Sequence, residues 1–182
     1  YNDSVLICSA IGDNIRDQTL NYNYSWLING GSYSGSVQNL ADIAVSPGAI
    51  VECAVTVSDI NGGMVSSSTT ATLDNRLPSV DSVSIFPNTG VLSDSELVCL
   101  AAVSDPDGES LSASYEWFVS GTLIGANATI QLDNSLVSPN DSVECVATVI
   151  DGLGASASES SSVTIENQAP SVDSVSISPN TG

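Results

Sequence analysis

The side chains able to do chemistry in this 182-residue chain are few and mostly of one kind. There are four cysteines, at 8, 53, 99 and 145, and 21 acidic residues, but two arginines (Arg16 and Arg76) and neither lysine nor histidine. No cysteines stand in a C-x-x-C arrangement, and without histidine the common zinc sites are ruled out. There is no histidine or lysine to lower a thiol pKa, so a cysteine nucleophile is not expected. General acid–base and nucleophilic catalysis lack their usual residues, and no carboxylate pair stands out from the acidic background, so the expectation is not an enzyme. Two chemistries remain: disulfide formation, and the binding of a hard cation by carboxylate and amide oxygens. One disulfide in each half of the chain accounts for the four cysteines. It implies an oxidising compartment, and the expected localisation is extracellular or cell surface.

Charge narrows the partners. A net charge of −19 repels phosphate backbones and anionic lipid surfaces, so no nucleic acid and no anionic membrane surface is expected as a partner. No apolar run approaches the ~20 residues that span a bilayer, so no membrane insertion is expected from these residues, and any export signal or anchor is expected outside them. The chain is 42% hydrophobic but only 5% aromatic, so its core must be built from Val, Ile, Leu and Ala.

The elements that position these residues come from an internal repeat. PSVDSVSIFPNTG at 78–90 returns as PSVDSVSISPNTG at 170–182, with Phe86/Ser178 the only mismatch in 13 positions. Cys8/Cys99 and Trp26/Trp117 align at an offset of 91, and Pro47/Pro139, Cys53/Cys145, Asn75/Asn167 and Pro78/Pro170 at 92. An offset of this size is one small domain. The predicted organisation is a first repeat at 1–77, a complete repeat at 78–169, and at 170–182 the first strand of a following repeat. Short alternating runs between turn signals predict strands throughout. In the second repeat these are 82–85; a strand with Leu97, Cys99, Ala101 and Val103 on one face; a strand with Tyr115, Trp117 and Val119 on one face; 128–132; a strand turning Val143, Cys145, Ala147 and Val149 inward; and a last one carrying Val163 and Ile165. In the first repeat Val51, Cys53, Val55 and Val57 reproduce the inward face. Two inward cysteines on different strands meet only across facing sheets, which predicts a β-sandwich with Trp26 or Trp117 packed beside the bridge.

With Cys99, Trp117 and Cys145 in that order, the repeats resemble immunoglobulin-like domains over essentially the whole chain. AVSDPDGE at 102–109, YEW at 115–117, and the linkers LDNRLP (73–78) and IENQAP (165–170) are closer to the polycystic-kidney-disease-type and cadherin-like repeats of large bacterial surface proteins. Two features depart from the pattern. Val51 and Val143 stand where immunoglobulin domains carry a tyrosine, and DNIRD at 13–17 is a degenerate form of the Asp-Pro-Asp-Gly turn. The fold class expected is all-β: tandem immunoglobulin-like sandwiches, head to tail, each with one inter-sheet disulfide. In such a sandwich Asp105, Asp107 and Asp151 converge with the linker residues Asp74 and Asn75. No cofactor is certain, and Ca2+ at the domain junction is the one metal the sequence raises.

The repeat also predicts the partner. Residue 1 aligns with Val91, so the first repeat begins without its first strand, while Pro170, Val172, Val175 and Ile177 form a first strand with no domain after it. Copies of the chain are expected to join head to tail, by covalent continuation in a long chain, the preferred expectation, or by strand donation between subunits. The resemblance implies a structural repeat segment of an extracellular filament, stalk or giant surface protein. The alternative is a calcium-dependent adhesin or carbohydrate-binding array. Four Asn-x-Ser/Thr sequons, at Asn2, Asn23, Asn127 and Asn140, and the serine run at 156–162 are candidate glycan positions.

Overall fold

A computed structural model describes residues 1–13 and 19–178. Arg16, most of the 13–17 turn and the closing PNTG at 179–182 lie outside the described residues. The chain divides into two compact units. The first takes Tyr1–Pro78 together with Ser104–Leu111 and Asp151–Ser156, and the second takes Ser79–Val103, Ser112–Ile150 and Ala157–Gly182. Two loops that the repeat pattern assigns to the second domain therefore cluster with the first.

In the first unit β1 (Val5–Ile7) pairs with β4 (Val37–Asn39), and a four-stranded sheet runs β3-β2-β5-β6 through Gly31–Ser34, Asn21–Ile28, Ile50–Ser58 and Met64–Thr72. Asn29 and Gly30, with φ of 49° and 76°, make the tight β2–β3 turn, for which Asn-Gly is the favoured pair. Alternation along β5 buries Val51, Cys53 and Val55 and leaves Glu52 and Ala54 half-buried. Across the β2–β5 ladder Trp26 lies opposite Cys53, and Cys53 is bonded to Cys8. The Trp26 indole N–H donates to the Gly35 carbonyl at 2.9 Å, so its one polar atom is satisfied as the ring is buried.

The second unit has the fuller strand set. One sheet runs β11-β8-β7, through Thr129–Gln131, Glu96–Ser104 and Ser79–Phe86. The other runs β10-β9-β12-β13, through Thr122–Gly125, Ser114–Val119, Ser142–Ile150 and Ser156–Thr164. Every second residue of β12 (Val143, Cys145, Ala147, Val149) is completely buried, while Ser142 and Ile150 at its ends are exposed. Trp117 lies opposite Cys145, Cys145 is bonded to Cys99, and the Trp117 indole donates to the Asn127 carbonyl at 2.8 Å. This is an all-β, immunoglobulin-like sandwich: two facing sheets joined across the core by a disulfide beside a tryptophan.

Several elements differ from the sequence expectation in extent. β7 spans Ser79–Phe86 rather than 82–85. The last strand, expected to carry Val163 and Ile165, is β13; it reaches back through the serine run at 156–162, held by its neighbour β12, and ends at Thr164. β3 and β10 were not foreseen; each follows a two-residue turn with positive φ, at Asn29-Gly30 and at Ser120-Gly121.

The two disulfides close loops of 45 and 46 residues, so chain entropy assigns each about 4 kcal/mol. The pair variants Cys8→Ala/Cys53→Ala and Cys99→Ala/Cys145→Ala are each expected to lose stability of that order. Denaturant titration measures it, and an unchanged midpoint for either pair contradicts the assignment.

Candidate functional site

Within the first unit three carboxylates converge: one oxygen each from Asp105, Glu109 and Asp151 lies within 4.8 Å of the others. Local turn chemistry holds each one. The Asp105 Oδ1 accepts the Asp107 N–H at 2.6 Å, and Gly108, at φ 83°, completes the turn, which is why the segment reads Asp-Pro-Asp-Gly. The Asp151 Oδ1 accepts the N–H groups of Leu153 and Ala155 at 2.9 and 2.8 Å. Glu109 reaches the same place through its Oε2, which accepts the Gly152 N–H at 3.1 Å. Asn75 completes the group, donating from Nδ2 to the Asp151 Oδ2 at 2.7 Å.

Two acceptor atoms in this group are buried with no hydrogen-bond partner: Oδ1 of Asn75 and Oδ2 of Asp105. A buried oxygen without a donor is costly, and three carboxylates so close together repel one another. Both penalties are relieved by a hard cation, and the donor set is all oxygen, as Ca2+ prefers. The residues present therefore fit such an ion. Asp151 is buried, yet its carboxyl is held below the usual range, chiefly by the Asn75 amide and then by backbone N–H groups that offset the burial.

Beside it stands a second constellation, built on Arg76. Its backbone N–H and Nε each donate to the Asp107 carboxylate at 2.7 Å; its Nη1 donates to the Asp3 Oδ2 at 3.0 Å and its Nη2 to the Asn2 Oδ1 at 2.9 Å. Its guanidinium lies 5.0 Å from the centre of the Tyr1 ring, and Asn2 donates from Nδ2 to the Asp107 carbonyl at 2.7 Å. The Asp107 side chain is wholly buried, and Arg76 neutralises it. That contact is also the main reason the Arg76 pKa is raised.

The structure thus sorts the five residues singled out for metal. It brings Asp105, Asp151 and Asn75 together, gives Asp107 to Arg76, and leaves Asp74 exposed. Glu109 was not singled out, although it directly follows the Asp-Pro-Asp-Gly turn. Nor was Arg76, although one of two cationic side chains in a chain so acidic was the available signal. Residues 170–178 form no strand, and Pro170, Val172, Val175 and Ile177 are exposed. Of the sequon asparagines, Asn23, Asn127 and Asn140 are exposed, whereas both polar atoms of the Asn2 amide are engaged.

Removing the arginine strands a buried carboxylate. Arg76→Ala is expected to lower the melting temperature by about 5 °C or more, whereas Asp3→Asn, at an exposed partner, changes it little. Equal effects in a thermal melt contradict the assignment. For Asp151 the folded pKa lies below the unfolded one. Its stabilising contribution is therefore present above the unfolded carboxylate pKa and is lost as pH falls through the depressed one. Asn75→Leu removes the main cause of the depression, so its acid unfolding, followed by circular dichroism, is expected to begin at higher pH than that of the unsubstituted chain.

Neither a family model nor a curated relative matches the chain. Among solved structures it is similar to an amphioxus IgVJ-C2 molecule, at 17% identity and a TM-score of 0.46, over 90% of this chain and 96% of that one. It is also similar to a 1.5-MDa bacterial ice-binding adhesin, at 17% identity and a TM-score of 0.37, over 86% of this chain and 55% of that one. A third likeness is to a Ca2+-stabilized adhesin of an Antarctic bacterium, at 16% identity and a TM-score of 0.32, over 82% of this chain and 41% of that one. The chain thus spans less than two thirds of either adhesin chain.

Proposed function

We propose that this chain is a structural segment of an extracellular filament, stalk or giant surface protein, built from tandem sandwiches running head to tail, and that its job is mechanical rather than catalytic. The observation that carries this reading is the stapling of each unit: Cys8–Cys53 and Cys99–Cys145 bind one sheet to the other through the core. Such bonds persist in an oxidising exterior. The scarcity of catalytic side chains and the like charge that keeps copies soluble agree with it. The finer resemblance to polycystic-kidney-disease-type and cadherin-like repeats belongs to the same reading. Antibody labelling of intact cells, followed by imaging of the native assembly, tests it. The expected result is surface label on structures with domains in single file; label found only inside permeabilised cells overturns it.

The acidic group favours a second reading, a calcium-dependent adhesin or carbohydrate-binding array, because Asp105, Glu109 and Asp151 meet beside two buried acceptors that lack donors. On this reading added Ca2+ raises the melting temperature, a chelator reverses the change, and Asp105→Asn with Asp151→Asn abolishes the response. A melting curve indifferent to chelator and to Ca2+ removes this reading.

A further inference from the structure

The first unit presents a long sheet edge along β6. This strand closes the sheet β3-β2-β5-β6, with β5 on one side and, among the described residues, no strand on the other. All nine of its residues are exposed, and it keeps nine register pairs with β5 without a bulge. Alternation assigns its backbone groups. The Asp59 N–H donates to the Gly63 carbonyl at 3.0 Å, and the Leu73 N–H to the Ala49 carbonyl at 2.9 Å. The odd-numbered residues between them therefore turn their N–H and C=O groups to β5. Met64, Ser66, Ser68, Thr70 and Thr72 turn theirs to the outer edge, where none meets a partner among the described residues.

Sheet edges invite pairing, and proteins blunt them by shortness, charge, proline or a bulge. The other edges here are blunted. β1, β4 and β11 are three residues long, and β3 and β10 four. β7 carries Asp81. β13, the strand that matches β6 at the offset of 92, sets Glu159 on its inward side, in line with Ala157, Ser161 and Val163. The counterpart of Glu159 in β6 is Ser67. β6 has no charge and no proline along its length.

The second unit, with its fuller strand set, shows that a sandwich of this kind does not fill this edge itself. There β7 pairs with β8 in the opposite sheet, and the outer edge of β13 has no strand beside it among the described residues. The occupant of the β6 edge is argued from charge and from symmetry. The chain carries a net charge of −19, yet the four strands of the β6 sheet hold one charged side chain, Glu52. The matching sheet of the second unit holds three, Glu116, Glu144 and Glu159. A basic partner is drawn to the acidic remainder of the chain and finds little here, whereas a second copy, repelled elsewhere, meets no carboxylate along β6. The strand is also complementary to itself. Turned about a two-fold axis at Ser68, an antiparallel copy sets Ser66 opposite Thr70, Ser67 opposite Thr69, and Ser68 opposite itself. Each outward N–H then faces an outward C=O, and hydroxyl side chains stand opposite hydroxyl side chains. Glu52 lies one strand in, so the two copies of it are at least three strand spacings, about 14 Å, apart, beyond the ~8 Å over which charge acts at physiological salt.

We propose that two copies of this chain join edge to edge through β6, antiparallel and centred on Ser68, so that two four-stranded sheets become one. The contact uses the same surface on both copies, so it closes at two and fastens chains side by side. The inference goes beyond the structural reading above, adding a lateral contact to it.

The test uses the full chain, followed by light scattering behind size exclusion over a range of concentrations. A monomer of 18.6 kDa is expected in equilibrium with a dimer. Ser68→Pro removes an outward donor and no bond to β5, and is expected to weaken the dimer about tenfold or more. Ser67→Glu, at an exposed position, gives β6 the charge that β13 carries and is expected to do the same. Two residues that face each other in a hydrogen-bonded pair lie about 5.5 Å apart at Cα, within disulfide range. Ser68→Cys is therefore expected to oxidise to a covalent dimer, whereas Ser66→Cys, which faces Thr70, and Ser160→Cys, at the matching place on β13, are not. In the dimer the amides of Ser66, Ser68 and Thr70 gain protection from hydrogen exchange.

A chain that stays monomeric at about 1 mM overturns the proposal. So does a dimer undiminished by Ser67→Glu, or by a Ser68→Pro chain that folds. Cross-linking of Ser66→Cys or Ser160→Cys as readily as Ser68→Cys places the contact at another register or another strand, and overturns it as well. Protection of the β6 amides in the monomer assigns the edge to the chain itself and does the same.

Discussion

Trp117 faces Cys145 across one ladder, and Cys145 reaches through the core to Cys99 in the opposite sheet. Most of the second unit follows from this pairing. It sets which residues of β12 point inward, because a one-residue slip would turn Val143, Cys145, Ala147 and Val149 to the other face. It fixes the spacing of the two sheets, and it gives an aromatic-poor core one large side chain around which Val, Leu and Ile close. The first unit repeats the register with Trp26, Cys53 and Cys8, so a chain with two tryptophans uses both for this purpose.

With that centre held constant, the units show how far a strand's length depends on its neighbours. β8 and the segment beginning at β1 align residue for residue, and each makes three register pairs with the short strand on one side. What differs is the other side. Where a second neighbour lies, nine residues are extended; where none lies among the described residues, three are. Propensity acts in the same direction, since 8–13 carries Gly12 and Asp13, which strands disfavour, where 99–104 carries Val103 and Ser104.

The fold was legible in the sequence wherever alternation and the cysteine–tryptophan spacing carried it. β12 buries all four residues of the face its pattern prescribes, while β5, β8 and β9 bury theirs in part, leaving Val57, Ala101, Val103 and Tyr115 half-buried. β3 and β10 were hidden because they are four residues long with little apolar pattern, although Asn29-Gly30 marked the first turn. β13 was foreseen at Val163, but its reach back to Ser156 was hidden, because serine fits a solvent-facing strand as readily as a loop and only its neighbour β12 decides between them. In the acidic site, Asp105 and Asp151 were legible because their turns are. The roles of Asp107 and Glu109 were not, because a carboxylate's partner is set by which long side chain reaches it, and no spacing rule tells an arginine in a linker where to point. Arg76 decided that Asp107 sits in an ion pair.

Arg76 has one more consequence. Digestive and tissue proteases of the trypsin kind must draw a basic side chain into a deep acidic pocket before they can cut. This chain offers them two such positions in 182 residues, Arg16 and Arg76. At Arg76 the side chain is already spent on Asp107, Asp3 and Asn2, with Tyr1 beside it. A chain with two basic side chains thus leaves proteases of this kind very little to recognise, and at the one basic side chain described, the protein's own carboxylates occupy the guanidinium first.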